Sequence, residues 1–191
     1  MTNIDHGRRG LLRASGATVL SASAVAILAG CEKMAMAETA NAAGDVQILN
    51  VALSLEHEAI SAYQLGATSG LLQKPVLDVA VAFQSHHKEH RDALIAAIRK
   101  MGGTPVAAKS DAEVGAALNA ASLRSQTDVL RLAQRLERGA ANAYIGVIPS
   151  FADRGLAQVS SRLAADETMH WTALSQALKD MLPARALSFG A

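Results

Sequence analysis

The feature that most constrains this chain is a duplicated spacing. Leu55-Glu56-x-x-Ala59-x-x-Ala62-Tyr63 matches Leu136-Glu137-x-x-Ala140-x-x-Ala143-Tyr144 position for position, at an offset of 81. Downstream, His87-x-x-His90 matches Glu167-x-x-His170 at an offset of 80. Two halves that space their acids, imidazoles and tyrosines alike predict two equivalent supersecondary units stacked on one another. Alanine supplies 40 of the 191 residues, so the Leu and Ala matches are cheap and the weight rests on Glu, His and Tyr. The same alanine content, with only 3% aromatic residues, favours helix and excludes a sandwich or barrel of strands.

Apolar periodicity defines the units. Behind Asp45, read as an N-cap, Val46, Leu49, Leu53, Glu56, Ile60 and Tyr63 recur at steps of three and four, giving a first helix that ends between Gly66 and Gly70. Pro75 opens a second, with Val76, Ala80, Phe83, His87, His90, Leu94, Ala97 and Met101 on one stripe and Gly102-Gly103 as its stop. A third stripe runs Val129, Ala133, Glu137, Ala140, Tyr144 and Val147 and closes at Pro149. The fourth runs Leu156, Ser160, Leu163, Glu167, His170, Leu174, Ala177 and Met181, before Pro183. Short loops inside each pair predict antiparallel hairpins. Gly102 to Arg124 form a long connection between the pairs, with a short helix opened by the capping box Ser110-x-x-Glu113. The fold class is therefore all-α: a four-helix bundle of two antiparallel hairpins joined by a long crossover, over residues 45–182, with a C-terminal tail at 183–191.

Glu56, His87, His90, Glu137, Glu167 and His170 occupy core positions of their stripes, where Leu or Ala is expected. Burying an unpartnered polar group costs ~2 to 7 kcal/mol, and an ionised one more. Six such groups would exceed the net stability of a typical domain, about 5 to 15 kcal/mol. They must satisfy one another or something between them. All six lie near the midpoints of their helices, and antiparallel packing sets midpoints at one height. Residues three apart share a helix face, and carboxylate oxygen with imidazole nitrogen suits iron, manganese or zinc.

At these residues the chain resembles the ferritin-like superfamily of carboxylate-bridged di-metal proteins, and within it the exported bacterial ferritin-like domain proteins. That superfamily joins two hairpins by one long crossover and takes one Glu from each of two helices and a Glu-x-x-His from each of the others. The resemblance spans about residues 45–182. It implies Glu56 and Glu137 as terminal ligands, His90 and His170 as nitrogen ligands, and Glu167 as a carboxylate bridging two metals. Tyr63 and Tyr144 match tyrosines that often lie two turns after the acids, in the layer around the metals. The chain departs from the pattern at His87, which stands where the family has a second bridging glutamate; His86, beside the stripe, can also enter the site. The implied cofactors are transition-metal ions, iron first with manganese and zinc as alternatives. The implied partners are metal ions and small oxidants, and a homodimer is an admissible assembly. Oxidase or peroxidase chemistry, metal buffering in a stress response, and a structural bundle that has lost metal are the functions this leaves open.

Residues 1–30 read as an export signal. Arg8, Arg9 and Arg13 precede an uncharged run from Ala14 to Gly30, 17 residues rich in Ala and Ser and short of the ~20 apolar residues of a spanning helix. Gly7-Arg8-Arg9-Gly10-Leu11-Leu12-Arg13 resembles the twin-arginine signal, with Gly7 where Ser or Thr is usual. Two processing sites compete. Leu28-Ala29-Gly30-Cys31 resembles the lipoprotein box, and Ala35-Met36-Ala37 an ordinary small-residue cleavage site. The box is favoured because the only cysteine, Cys31, sits where it requires one. The expectation is a protein exported to the periplasm or cell envelope, lipid-anchored through Cys31, with residues 31–44 as a flexible linker. A formal charge of +1 argues against a general nucleic-acid binder.

Overall fold

The computed structural model describes the backbone of residues 22–190 and the side chains of residues 41–190. The arginine-rich signal motif and the side chain of Cys31 lie outside the described residues. The chain divides into a unit Met1–Glu38 and a unit Thr39–Ala191, the second holding the bundle. Among the described residues there are five α-helices and no strand: α1 Ala22–Thr68, α2 Lys74–Lys100, α3 Asp111–Ala117, α4 Gln126–Val147 and α5 Arg154–Ala177. None of the described helices is long and apolar enough to cross a membrane.

The four long helices bury the faces that their periodicity marks. Leu49, Leu53, Glu56 and Tyr63 are buried on α1, and Phe83, His87, His90, Leu94 and Ile98 on α2. Val129, Glu137 and Tyr144 are buried on α4, and Leu163, Glu167, His170 and Leu174 on α5. The polar layer divides the core in two. On one side Leu49, Leu53, Leu94, Ile98, Leu163 and Tyr144 pack together. On the other, Tyr63, Phe83, Leu130 and Leu174 form a smaller cluster.

Local chemistry ends α2 and opens α3 where the sequence indicates. Gly102 adopts a left-handed φ of 76° after α2, and its neighbour Gly103 passes so close to Val46 that a Cβ there would lie 2.6 Å from a valine methyl. The capping box forms as expected: Ser110 accepts from the Glu113 backbone, and the Glu113 carboxylate accepts from the Ser110 N–H.

Two expectations are corrected. Asp45 is not an N-cap, because α1 runs through it. Its buried carboxylate instead accepts from the backbone N–H groups of Ala152 at 2.9 Å and Asp153 at 3.0 Å, tying α1 to the start of α5. Met181 is not a core residue: it is 93% exposed, because α5 ends at Ala177. There Lys179 takes a left-handed φ of 59° and the N–H groups of Lys179 and Asp180 turn back onto the Gln176 and Ser175 carbonyls. The tail then docks through Arg138, which donates to the Ser188 carbonyl and lies over the rings of Trp171 and Phe189. Trp171 is thus a packing residue.

Candidate metal centre

The six polar residues of the stripes converge. Glu56, His87, Glu137, Glu167 and His170 are each at most 1% exposed and His90 is 7% exposed. They form two overlapping groups, Glu56, His87, His90 and Glu167, and His87, Glu137, Glu167 and His170. In each, the ligand atoms lie within 4.8 Å of one another. His87 and Glu167 belong to both. Glu167 divides its oxygens between them, with Oε1 3.3 Å from His90 Nδ1 and Oε2 3.3 Å from His170 Nδ1. His87 divides its ring likewise, with Nδ1 2.8 Å from Glu56 Oε2 and Nε2 3.2 Å from Glu137 Oε1. The duplicated halves thus meet as a near-symmetric site whose two shared members are one carboxylate and one imidazole.

The tyrosines cross between the halves. Tyr63, on α1, donates a hydrogen bond to Glu137 on α4, and Tyr144, on α4, donates one to Glu56 on α1. Each bond joins one hairpin to the other and holds an acid in place.

The donor set fits transition-metal ions. His90 and His170 both turn Nδ1 inward, while their outer nitrogens are held. His90 Nε2 lies 3.2 Å from Asp166 and His170 Nε2 2.9 Å from His86. Metal-binding histidines are ordinarily oriented by such a partner on the second ring nitrogen. The buried His90 Nδ1 and Glu167 Oε1 face each other yet make no hydrogen bond, and buried polar atoms without a partner are uncommon. These buried His and Glu groups can hold a metal ion.

The acids and histidines of the cluster shift one another's titration. Burial pushes Glu56 up, but the hydrogen bond from His87 and the nearby ring of His90 outweigh it and hold the carboxyl at about 2. Glu137 is also lowered: burial raises it, and His170 and His87 bring it down. Glu167, the most enclosed acid, goes up, because burial outweighs its histidine contacts. Burial disfavours the charged forms of His87 and His90, yet Glu137 and Glu56 beside His87, and Glu167 and Glu56 beside His90, raise the two imidazoles to about 10. His170 rises too, its burial being overcome by Glu137 and Glu167. Because carboxylates only accept, a His87 bonded to both Glu56 and Glu137 is an imidazolium. Burial and the adjacent carboxylates raise Tyr63 and Tyr144 well above 10, so both remain donors.

Apart from Cys31, each residue singled out in the sequence therefore has a place: six in the cluster, Tyr63 and Tyr144 bonded to its acids, and His86 behind His170. Asp166 was missed. Its side chain is about half exposed and off the core stripe, so periodicity carries no sign of it. Phe83, read as core, also stacks on His170 with ring centroids 4.1 Å apart.

The sequence pattern of the ferritin-like domain family matches residues 44–180. The fold is similar to the crystal structure of a conserved hypothetical protein from Mycobacterium tuberculosis, with a TM-score of 0.65 and 23% identity, over 77% of this chain and 99% of that one. No curated protein matches. With the family pattern spanning most of its length, the chain belongs to the ferritin-like domain family.

Proposed function

We propose that this is an exported metal-binding protein whose bundle core holds a two-metal centre of iron or manganese that reacts with dioxygen or peroxide. The observation that carries the reading is the pair of overlapping groups sharing Glu167 and His87, with the inward nitrogen of His90 and Glu167 Oε1 left without a hydrogen-bond partner. Glu56, Glu137 and Glu167 would hold the metal through carboxylate oxygens, Glu167 belonging to both groups, and His90 and His170 would supply the nitrogen donors. Bound metal supplies Lewis acidity and electrons. Tyr63 and Tyr144 orient Glu137 and Glu56 and stay protonated, and the buried layer admits only small reactants. Three carboxylates leave two divalent ions about one positive charge in excess, so His87 makes this centre more electrophilic than one with four acids.

A purely structural network is the competing reading, favoured by the ion pairs that His87 makes with Glu56 and Glu137. It leaves His90 Nδ1 and Glu167 Oε1 unexplained. Mixing the ferrous-loaded chain with peroxide and following absorbance tests the reaction. Oxidation faster than in buffer is expected; oxidation no faster than in buffer means passive metal holding.

A further inference from the structure

We propose a second ligand site: a cavity at the crossover end of the bundle that takes a small apolar molecule, a single or fused aromatic ring or a short alkyl chain. The cavity has a volume of about 210 Å³ and opens beside the layer of Glu and His side chains. Protein interiors contain few voids larger than a water molecule. An apolar cavity of about 150 Å³ stays dry and binds benzene, so this one has room for more.

The opening follows from residue size. Ala62, Ala80, Ala133 and Ala173 line it where larger side chains would close it. The opposite end of the bundle, on the far side of the polar layer, is filled by Leu49, Leu53, Leu94, Ile98 and Leu163. The duplicated halves are thus alike at the polar layer but unequal above and below it. Leu118 and Leu123 of the crossover cover the cavity, and Pro75, Val79 and Ala177 are exposed at its rim.

The lining selects the ligand class. Tyr63 is the one lining residue with a polar side chain, and its hydroxyl already donates to Glu137. A hydrated ligand entering here would lose its water and gain no hydrogen bond in exchange. An apolar molecule would instead rest on the Tyr63 and Phe83 rings, the first bonded to Glu137 and the second stacked on His170. Such binding needs no metal, so it stands or falls separately from the metal reading.

Benzene and naphthalene are the probes, added to the purified chain with and without zinc. Saturable binding by calorimetry and a rise in Tm are expected in both forms, with nuclear Overhauser contacts from bound naphthalene to Phe83 and Tyr63. Ala80→Leu combined with Ala133→Leu fills the cavity and should weaken naphthalene binding at least tenfold, with helical circular dichroism reporting the fold. The milder Ala80→Val should weaken it less. No saturable binding of either probe to the folded wild-type chain, contacts to other residues, or equal affinity in the folded filled variants would overturn the proposal.

Discussion

Tyr63 gives its hydroxyl to Glu137 across the bundle and not to Glu56 on its own helix. Seven residues of α-helix rise about 10.5 Å, which sets Tyr63 two turns from Glu56 and level with the acid of the other hairpin. Tyr144 and Glu56 make the reciprocal bond. Because the two bonds are equivalent, Tyr63→Phe and Tyr144→Phe should cost similar stability, about 1.5 to 3 kcal/mol each for a hydrogen bond to a charged group. Chemical denaturation of the metal-free chain measures this. A loss from only one of the two would show that the halves are not energetically equivalent.

The charge pattern predicts how stability follows pH. Glu56, held at about 2, contributes stability that is present above its ordinary value of 4.5 and lost as pH falls toward 2. His87 and His90, raised to about 10, contribute stability that is complete below 6.5 and lost as pH rises to 10. The metal-free chain should therefore have its highest Tm between about pH 4.5 and 6.5 and lose it toward alkaline pH. Metal must displace the imidazolium protons, so its stabilising effect should grow over the same alkaline range. Thermal melts across pH, with and without zinc, check both. A metal-free Tm that climbs from pH 6.5 to 9 would contradict the assigned ion pairs.

His87 is the one imidazole shared by the two groups of acids and histidines. His87→Ala leaves Glu56 and Glu137 facing each other without their cation and should cost the metal-free chain about 3 to 5 kcal/mol. His87→Glu restores a second bridging carboxylate and should raise metal stoichiometry or affinity. Metal analysis after dialysis reads the change, and unchanged uptake would mean that His87 does not limit the site.

Asp166 and His86 hold the outer nitrogens of His90 and His170. Asp166→Ala and His86→Ala should each weaken metal binding by about 10- to 100-fold while leaving the ligands in place. Competition titration against a chelating dye checks it. Unaltered affinity would reduce both to surface contacts.

Helix number, the hairpin-crossover-hairpin order and the six central residues were legible in the sequence, because a Glu or His on an apolar stripe stands out against its period. What was not legible depends on tertiary contact. Asp45 looks like a local cap, yet the N–H groups it satisfies belong to Ala152 and Asp153. Met181 continues the α5 stripe in sequence but falls beyond a left-handed turn. Asp166 acts on His90 from a half-exposed position. The cavity arises from alanines on four helices whose register becomes visible only once they pack.

Export through the first thirty residues, with lipid on Cys31, predicts a mature N-terminal peptide that begins at Cys31 and carries an acyl mass. Mass spectrometry of the protein from a bacterial membrane fraction checks it. A mature chain that begins at Glu38 would point to the competing cleavage after Ala37, and the anchor would be lost.

The central claim is that the buried layer of acids and histidines binds metal. Its most direct measurement is the transition-metal content of the chain, purified without added metal and again after loading with iron, manganese or zinc, beside a Glu167→Ala variant. The expected result is up to two ions per wild-type chain, a raised Tm on loading, and strongly reduced uptake in the variant. A wild-type chain that binds none of the three metals and gains no thermal stability from them would contradict the account.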